Sequence, residues 1–474
     1  MAGEIPFFLH LSRFTIKIFT LAQSTPHQLK LVDLRKPHFR VLLIVPVALA
    51  LLFSWFATRW YMGNFVAEFA PNLEEGQLET ALAAMRLAPD DPWGHWVVAG
   101  LKKRTLLEED LADAVRHYEE AVRLSPNDYR FWVDLGRARE DSGDRPAGEK
   151  ALRRAVELAP SYALPRWYLG NLLLRAGRGE EAFIELRRAA GADAAFRQQL
   201  FNIAWNLYGQ NIEAIKQVVG ESPGERAAFA NYLIGRQRLD DALSLWSSLS
   251  LGEKRAHPAT GDLIMRTLLG ERRYRAALGI IGDIDHGFDP TEATQILNGG
   301  FEEDIQTSGG NPFTWQIKSD PQAQIAIDES SRRSGARSLR IAFRSPSMIT
   351  FNNVAQLVVV EPSEQYRFEC YVRADALKSG GTPVIEIIDA MDGTTVLGTS
   401  PPIASGTYDW RQITIDFKTS PRTEAVTVRI GRAMCGTAAT CPIFGMIWYD
   451  DFSLKRLGGA TSPRNKPGDS KAGA

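Results

Sequence analysis

The chain has 474 residues, a length typical of several domains rather than one. It is 45% hydrophobic, which is enough to bury large cores, and its 55 basic and 56 acidic side chains leave a net charge of −1. This balance, with no basic block, excludes a nucleic-acid-binding protein of the usual electrostatic kind. The seven histidines are dispersed and no pair has the spacing of a zinc site.

An uncharged apolar run covers residues 41–58. At about 1.5 Å per residue, a helix of this length spans most of a ~30 Å hydrocarbon layer. Trp60 and Tyr61 follow it, where the aromatic belt of a membrane interface would lie. The run predicts a transmembrane helix over residues 41–61, in which Pro46 is tolerable. A secretory signal peptide is the rival interpretation, but the run begins far from the first residue and no clear cleavage site follows.

Charge on the two sides of the run predicts its orientation. Residues 1–40 contain six Lys or Arg side chains against two acidic ones, whereas Arg59 is followed by four glutamates up to Glu79. The positive-inside rule places residues 1–40 in the cytoplasm and the chain after residue 61 outside it. We therefore expect a single-pass protein of a bacterial inner membrane, with the bulk of the chain in the periplasm. Pro6–Gln23 is apolar with interruptions, so an interfacial amphipathic helix and a loosely ordered tail are both open.

From residue 72 to 285 the apolar residues recur at helical spacing, and a longer period lies over them. Leu135 and Gly136 recur as Leu169 and Gly170, a step of 34 residues. Further along, two segments parallel each other with a step of 35, at 233–243 and 268–278. Such a period is typical of a helical repeat protein.

The clearest unit resembles a tetratricopeptide repeat, because small residues and a helix-ending proline stand at the family's positions. The landmarks are Trp132, Leu135, Gly136, Gly148, Leu152, Ala155 and Pro160. The one departure is Arg139, where the family has a tyrosine. The resemblance implies an α-solenoid of roughly five or six helix pairs over residues 72–285.

Stacked repeats of this family form a superhelix whose concave face commonly binds a peptide. By the family's register, that face would present Arg130, Arg137, Trp167, Asn171 and Arg175, together with Val133 and Glu140. The resemblance therefore implies a protein partner. Surface arginines are more often merely solvated, so a solvated face is the alternative to a peptide groove.

Between residues 296 and 457 the chain contains many short strands separated by Gly, Pro, Ser and Asp turns, the pattern of an all-β sandwich. The motif NGGFE at Asn298–Glu302 opens this region and WYDDF at Trp448–Phe452 closes it. Carboxylates on the first and last strands of a sandwich can be neighbours, and calcium takes several oxygen ligands from separate parts of a chain. The two motifs indicate a metal that ties the ends of the domain together.

An ordered set of landmarks resembles the jelly-roll carbohydrate-binding modules of the galactose-binding-like group. The set is NGGFE, Trp315, Ser334–Ile341, Gln356 before the run Leu357–Val360, Glu361–Ala374, Trp410 and WYDDF. The resemblance implies a jelly-roll domain over residues 296–457, after a linker at 286–295 and before a disordered tail at 458–474. This fold also serves non-sugar roles, so the landmarks specify a fold more than a ligand.

The resemblance also implies a structural calcium ion. In the family the glutamate of the first motif and the first acid of the last strand bind calcium together with backbone carbonyls. These positions are Glu302 and Asp450, with the carbonyls of Gly300, Ser334 and Arg337. Ser334 departs from relatives that offer an acid there. A metal-free site held by hydrogen bonds is the alternative.

Alternation along the segment 365–374 predicts a strand with two faces. Tyr366, Phe368, Cys370 and Val372 are predicted to enter the core. The outward polar face is predicted to carry Arg367, Glu369, Tyr371 and Arg373, joined by Glu386 and Arg429. The resemblance suggests that this face binds a glycan, with Tyr371 as the stacking group and arginines contacting the carboxylates of an acidic polysaccharide. Trp410 and Trp448 are expected in the core, and a polar, non-binding face is the alternative.

The three cysteines all lie in the C-terminal region. Cys435 and Cys441 are separated by the segment GTAAT, a plausible small disulfide loop in an oxidising compartment. Cys370 is most simply a buried small hydrophobe.

The sequence therefore predicts a multidomain protein with one transmembrane helix, an α-solenoid and an all-β jelly-roll sandwich. Without a recognisable catalytic constellation, we predict no enzyme activity. The leading hypothesis is a membrane-anchored envelope scaffold, whose repeats dock a protein while its sandwich binds a polysaccharide during surface glycan export or assembly. The alternative is a pure protein adaptor with the sandwich as a structural cap. A glycan-processing enzyme is a distant third and would need two carboxylates about 5–10 Å apart.

Overall fold

The computed structural model describes residues 37–73, 75–285, 287–291, 294–305, 311–347, 350–436 and 440–457. Most of the predicted cytoplasmic tail, the segment Pro6–Gln23 and the tail predicted at 458–474 lie outside these residues. The chain forms two compact units, residues 1–177 and 178–474, here named the first and second units.

The described part of the first unit is helical throughout its regular structure. Its helices are α1 (Pro37–Phe69), a one-turn 3₁₀ helix (Ala70–Asn72), α2 (Gln77–Leu87), α3 (Pro92–Lys103), α4 (Glu108–Leu124), α5 (Tyr129–Asp141), α6 (Arg145–Leu158) and α7 (Ala163–Arg175). Aspartate side chains cap three of them: Asp91, Asp128 and Asp144 each accept a hydrogen bond from a backbone N–H in the first helical turn. Such caps satisfy backbone donors that a helix start leaves unpaired.

The first helix contains the apolar run and continues unbroken through Pro46. By length and composition, Ile44–Asn72 is long and apolar enough to cross a membrane, and none of its most apolar window is buried in the protein. The helix also extends past the predicted end at residue 61, as far as Phe69. Its last turns pack against α2 and α3, where Ala67 is fully buried. One continuous helix thus supplies both the apolar run and a packed element of the first unit.

Close helix packing explains the repeat landmarks. A side chain at Gly136 of α5 would come within 2.6 Å of Leu152 Cγ and 3.0 Å of the Gly148 carbonyl in α6. Both positions therefore require glycine so that the paired helices can approach. Leu135, Leu152 and Ala155 are buried in the same helix pair.

The second unit begins with eight described helices. They are α8 (Gly179–Ala192), α9 (Ala195–Leu207), α10 (Ile212–Val219), α11 (Pro223–Gly235), α12 (Leu239–Ser247), α13 (Leu251–Ala256), α14 (Pro258–Gly270) and α15 (Tyr274–Ile284). The parallel segments 233–243 and 268–278 form the turns inside the pairs α11–α12 and α14–α15. Gln237 and Arg272 take the same left-handed backbone conformation in these turns, with φ of 60° and 61°.

Ten described strands follow and form an antiparallel sandwich. They are β1 (Gln316–Ile317), β2 (Ala323–Asp328), β3 (Ser338–Ser345), β4 (Val354–Val359), β5 (Gln365–Ser379), β6 (Pro383–Asp389), β7 (Val396–Thr399), β8 (Gly406–Lys418), β9 (Ala425–Arg432) and β10 (Ile443–Leu457). Sheet A has the order β1-β4-β9-β6-β7, and sheet B has the order β2-β3-β10-β5-β8. The sandwich confirms the predicted fold class.

The two sheets enclose one apolar core. Tyr366, Phe368, Cys370 and Val372 of β5 all enter it, as the alternation predicts. Trp315 packs between aromatic rings, with centroid distances of 5.1 Å to Phe301 and 4.9 Å to Phe452. Its indole nitrogen donates to the Asn298 carbonyl over 3.0 Å. The landmark tryptophan therefore joins the two terminal motifs.

The last strand changes phase at Asp451, whose φ is 53°. The register against β5 shifts between Asp450 and Ser453, which is a β-bulge. Because of the bulge, Tyr449 and Phe452 both enter the core although they are an odd number of residues apart. Beside the bulge, the Phe452 N–H donates to the Gly299 carbonyl over 2.9 Å, and a side chain at Gly299 would collide with the Phe452 carbonyl.

Within the second unit, the last helix pair packs on sheet A. Leu357 and Val359 point away from the sandwich core and join a cluster with Trp246, Ile264 and Leu268. Polar contacts surround this cluster: the Tyr274 hydroxyl donates to the Ala390 carbonyl over 2.7 Å, and Arg275 contacts the Glu361 carboxylate and the Val360 carbonyl, each over 3.0 Å. The sandwich is thus docked on the helices rather than joined to them by the linker alone.

Candidate functional site

Glu302 and Asp450 lie on either side of one loop, residues 333–337, which precedes β3. The backbone N–H groups of Arg333 and Ser334 donate to Asp450 Oδ2 over 2.8 and 3.3 Å. Those of Ala336 and Arg337 donate to the Glu302 carboxylate over 2.9 and 3.3 Å. We name this arrangement the carboxylate clasp: Glu302, Asp450 and loop 333–337.

The clasp brings the predicted metal residues together. A Cβ placed on Gly300 would be 3.7 Å from both Asp450 Oδ1 and Glu302 Cγ. Burial raises the pKa of Asp450, while the backbone donors at Arg333 and Ser334 oppose the shift. Cationic side chains flank the clasp, since Arg333 pairs with Asp451 and Arg337 pairs with Asp304 over 2.8 Å.

The residues fit calcium in part. Two converging carboxylates suit a cation that prefers oxygen ligands. The loop, however, directs four amide hydrogens at those carboxylates, so the clasp is already satisfied by hydrogen bonds, as in an anion-binding nest. Among the described residues, no cluster of three or more His, Cys, Asp or Glu side chains is arranged to hold a metal. Calcium stays a prediction that rests on two carboxylates and backbone carbonyls.

The outward face of sheet B carries the predicted residues of β5 and a buried aromatic, Trp448. Trp448 was expected in the core at a strand start; it is buried, but it lies inside β10 between Ile447 and Tyr449, which both enter the cluster between the sheets. Alternation therefore turns Trp448 outward, where it is 7% exposed. Trp410 likewise lies within β8 and is half-buried. Regular pairing with Arg373 of β5, before the β-bulge, sets the orientation of Trp448.

Both outward aromatics are covered by arginines. The Arg333 guanidinium lies 3.5 Å from the ring centre of Tyr371, and that of Arg373 lies 5.5 Å from the ring centre of Trp448. Cation–π contacts of this kind favour the stacked arrangement. The Trp448 indole nitrogen also donates to Asp328 Oδ2 over 2.9 Å. Tyr371 is therefore covered by Arg333, whereas the sequence predicted an uncovered stacking group.

The remaining members of the predicted glycan set are paired. Arg367 binds Asp416 through two 2.8 Å hydrogen bonds, and Glu369 accepts from Gln412 over 3.1 Å. Arg373 donates to the Ser331 hydroxyl over 2.7 Å. These contacts order the outward face of sheet B.

Glu386 and Arg429 do not belong to that face. They lie on β6 and β9 of sheet A, where Arg429 Nε donates to Glu386 over 2.6 Å. The outward faces of the two sheets point in opposite directions, so a single glycan site with all six predicted residues is wrong. Strand order, which depends on pairing between distant segments, separates them.

The predicted peptide-groove residues of the first unit are occupied by internal contacts. Arg130 pairs with Asp128, Arg137 with Asp134, and Arg175 with Glu140 through two bonds of 2.7 and 2.8 Å. The other two predicted members are Trp167, which is buried, and Asn171, whose amide donates to the Trp167 carbonyl over 2.8 Å. Trp167 is therefore a packing residue rather than an exposed contact.

A groove of about 450 Å³ does lie nearby in the first unit. Its lining includes Pro71, Trp96, Lys103, Arg104, Tyr118 and Arg137. The Trp96 indole nitrogen donates to Asp134 over 2.8 Å, which joins α3 to α5 at the groove. Of these lining residues, the repeat pattern predicted Arg137 alone as a groove residue. The others lie before the clearest repeat unit, where the sequence does not match the family's pattern closely enough to assign groove positions.

Cys435 and Cys441 form a disulfide in the structure, and Cys370 is a free, fully buried thiol whose pKa burial raises. Arg432 lies beside the disulfide loop and donates to the Gly381 carbonyl over 2.6 Å. The bond therefore lies in the connection between β9 of sheet A and β10 of sheet B.

Comparison with protein families agrees with the two folded regions. The tetratricopeptide repeat model matches residues 108–163 and 133–197. The model described as a carbohydrate binding domain matches residues 293–432. The chain carries tetratricopeptide repeats and a carbohydrate-binding domain. Both families are non-catalytic.

Individual relatives are distant. Superkiller protein 3 of Saccharomyces cerevisiae is 25% identical over 147 residues, which are 27% of this chain and 10% of that protein. The crystal structure of MamA is 16% identical, covers 31% of this chain and 84% of its own, and has a TM-score of 0.27. A CBM4 structure is 19% identical, covers 34% of this chain and 99% of its own, and has a TM-score of 0.26. The chain spans about a tenth of the length of the curated relative that it matches.

Proposed function

We propose that the protein is a non-catalytic, membrane-anchored scaffold of the bacterial envelope. Its tetratricopeptide repeats dock a protein partner, and its carbohydrate-binding domain binds a polysaccharide in surface glycan export or assembly. The observation that supports this choice is the way the sandwich is docked. The helices pack on Leu357 and Val359 of sheet A, whereas Tyr371, Arg373 and Trp448 lie on the opposite sheet.

An acidic polysaccharide is the ligand class that the outward face of sheet B favours. Trp448 is largely buried and the face of Tyr371 lies under Arg333, so broad ring stacking on a neutral sugar is disfavoured. Arginines are the accessible groups there: Arg333 and Arg373 are about two-fifths exposed at the side chain, at 37% and 42%. Guanidinium groups bind carboxylates through paired hydrogen bonds.

The protein partner would bind in the groove of the first unit. Its lining combines the aromatic side chains Trp96 and Tyr118 with Lys103, Arg104 and Arg137. Lys103 pairs with Asp141 and Arg137 with Asp134, so Arg104 is the cation of this lining that no ion pair among the described residues engages. This chemistry suits an extended segment that carries both an apolar and an acidic side chain.

A pure protein adaptor is the second candidate, and one observation favours it. Leu357, Val359 and the carbonyl of Ala390 are covered by the last helix pair, as expected of a domain that caps a stack of repeats. In this case the outward face of sheet B would have a structural role alone.

The membrane part of the proposal rests on the length and composition of Ile44–Asn72. With residues 1–40 in the cytoplasm, the repeats and the sandwich would lie in the periplasm, where the Cys435–Cys441 disulfide is stable. Alkaline phosphatase fused after residue 458 should be active in a bacterial host. An inactive phosphatase together with a fluorescent cytoplasmic reporter at the same site would contradict the orientation.

One experiment separates the scaffold from the adaptor. The full chain in detergent is run on gels that contain acidic polysaccharides, neutral polysaccharides or none, at low ionic strength. The scaffold proposal expects retardation by an acidic polysaccharide that weakens with salt, because exposed charges are screened. Equal mobility on all gels would leave the adaptor as the function.

A further inference from the structure

The end of α1 carries an aromatic row on its exposed side. Tyr61, Phe65 and Phe69 follow one another at intervals of four residues and expose 64%, 45% and 51% of their surface. Their rings are in contact, with centroid distances of 6.5 Å and 4.7 Å. Three adjacent aromatic rings that are about half exposed on one helix favour an interaction site at this surface.

The opposite side of the same turns is packed against the repeats. A side chain at Gly63 would come within 2.6 Å of Ala88 Cβ, and Ala67 is fully buried. The Asn64 amide donates to Asp91 over 2.9 Å. The aromatic row and the repeats therefore lie on opposite sides of α1.

Arg59 marks where the polar part of the protein begins. Its guanidinium donates to the Leu87 and Arg86 carbonyls over 2.7 and 2.9 Å and so caps the C-terminal end of α2. A charged side chain in this position lies at or above the surface of the hydrocarbon layer. The described side chains of α1 before Arg59 are exposed and have no partner within the protein's described part.

Tyr61 lies two residues beyond Arg59, and the aromatic row continues along α1 away from the spanning run. From Tyr61 to Phe69 the helix advances about 12 Å, whereas the headgroup layer on one side of a bilayer is only about 5–7 Å thick. Transmembrane helices tilt by about 20° on average and up to about 40°. At a tilt of about 40° toward the aromatic side the row still rises about 9 Å, so it reaches from the hydrocarbon surface at Tyr61 to the outer part of the headgroup layer at Phe69. The same tilt lifts α2 and α3, on the other side of α1, away from the membrane.

From this geometry we infer that the membrane contact of α1 continues past the spanning run, from the hydrocarbon surface at Tyr61 through the lipid headgroup layer at Phe65 and Phe69. The inference rests on the proposed membrane anchoring. Aromatic rings are the side chains that prefer this layer. Helices that associate inside a membrane do so through small residues, so bulky rings favour lipid over a second copy of α1. The row and the contacts of Gly63 would together fix the tilt of the repeats on the membrane.

The experiment uses the full chain in phosphatidylcholine vesicles and an environment-sensitive fluorophore on a single introduced cysteine. Cys370 is buried and the other two cysteines form a disulfide, so an introduced thiol is the reactive one. The test positions are Phe65→Cys and Phe69→Cys. Glu79→Cys on α2 is the matched control, because the contacts of Gly63 with Ala84 and Ala88 place it near the level of Phe69 on the other side of α1. Phe53→Cys reports on the spanning run itself.

Lipids with a headgroup-attached nitroxide should quench the fluorophore several-fold more at residues 65 and 69 than at residue 79. Equal quenching at residues 69 and 79, with the residue 53 fluorophore shielded from water, would overturn the inference and leave the anchor intact. A fluorophore at residue 53 that remains in water would contradict the anchor itself. Disulfide-linked dimers through Phe65→Cys in dilute vesicles would show that a second copy covers the row, which would also overturn the lipid contact.

Discussion

The two outward faces of the β-sandwich show how differently one alternating pattern can be used. On sheet A, Leu357 and Val359 are covered by the last helix pair and behave as core residues. On sheet B, the same kind of outward position carries Tyr371, Arg373 and Trp448. Their partners are Asp328 at the end of β2 and Ser331 and Arg333 in the loop that follows it. The comparison teaches that an outward position can be a domain interface or a polar layer, depending on what the neighbouring chain provides.

The largest expected effect is on the covered face. Val359→Asp would bury a charge at a position that is 1% exposed, against Trp246 and Ile264. We expect the free energy of unfolding of the second unit to fall by about 4 kcal/mol or more, because an unpaired buried charge is severely destabilising. Urea unfolding followed by tryptophan fluorescence measures it.

The matched control is Gln324→Asp, on an exposed outward position of sheet B. It should change the free energy of unfolding by less than about 0.5 kcal/mol. If the two variants unfold at the same urea concentration, the packing of the helix pair on sheet A does not contribute to the folded state.

On the polar face, Trp448 should behave as a structural residue. Trp448→Ala removes a largely buried ring and leaves Asp328 without its indole donor. We expect a loss of about 3–5 kcal/mol in the free energy of unfolding. Trp448→Phe keeps most of the ring and should cost about 1–3 kcal/mol through the lost hydrogen bond. A Trp448→Phe variant as stable as the wild type would mean that the Asp328 contact is unimportant.

The carboxylate clasp should separate metal binding from hydrogen bonding. If calcium binds Glu302 and Asp450, chelator should lower the melting temperature of the wild-type chain and leave that of Glu302→Ala unchanged, because ligand binding to the folded state stabilises by mass action. A wild-type melting curve that ignores chelator would reject calcium. The variant alone should still be destabilised by about 1–3 kcal/mol, since the amides of Ala336 and Arg337 lose their acceptor.

Glycan binding should depend on sheet B alone. Arg373→Ala should weaken retention by an acidic polysaccharide roughly tenfold or more, because hydrogen bonds to charged groups contribute about 1.5–3 kcal/mol. Arg429→Ala removes an arginine of sheet A and should leave retention unchanged. Affinity gel electrophoresis measures both, and equal losses in the two variants would place the ligand elsewhere.

The smallest expected effect is a pH dependence confined to the polar face. Burial alone would raise the pKa of Asp328, but hydrogen bonds from Ser330 and Trp448 hold this pKa below its ordinary value. A depressed carboxyl pKa contributes stability that is present above about pH 4 and is lost as the pH falls further. Trp448 fluorescence should therefore change below about pH 4. The change should be absent in Asp328→Asn, and a persisting change in that variant would assign the transition to another group.

Local patterns in the sequence predicted much of the fold. The step of 34 residues located α5 and α6, and Gly136 and Gly148 stand there because their helices touch. Strict alternation predicted which side of β5 enters the core, since successive side chains of a strand point to opposite faces. The terminal motifs placed Glu302 and Asp450 at one loop. In each case the signal lies within a few residues or in a repeat of fixed length.

Other features were set by contacts between distant segments. Strand order placed Glu386 and Arg429 on the sheet opposite to Arg373, and pairing with Arg373 of β5 put Trp448 on the outward face. Ion pairs within the first unit occupy Arg130, Arg137 and Arg175, which were predicted to contact a peptide. These outcomes depend on pairing and packing energies between segments that lie far apart in the chain.

The sequence by itself therefore determined the elements of this protein: an apolar helix, repeated helix pairs and alternating strands. It also placed a carboxylate in the first and in the last motif of the β-sandwich, at Glu302 and Asp450. Only the tertiary structure decided which outward faces are covered, as at Val359, and which stay polar, as at Arg373. The physical reason is that periodicity records the environment of a single helix or strand. The neighbour that covers a face is chosen by the whole chain, through the apolar area and the hydrogen bonds that each packing arrangement can satisfy.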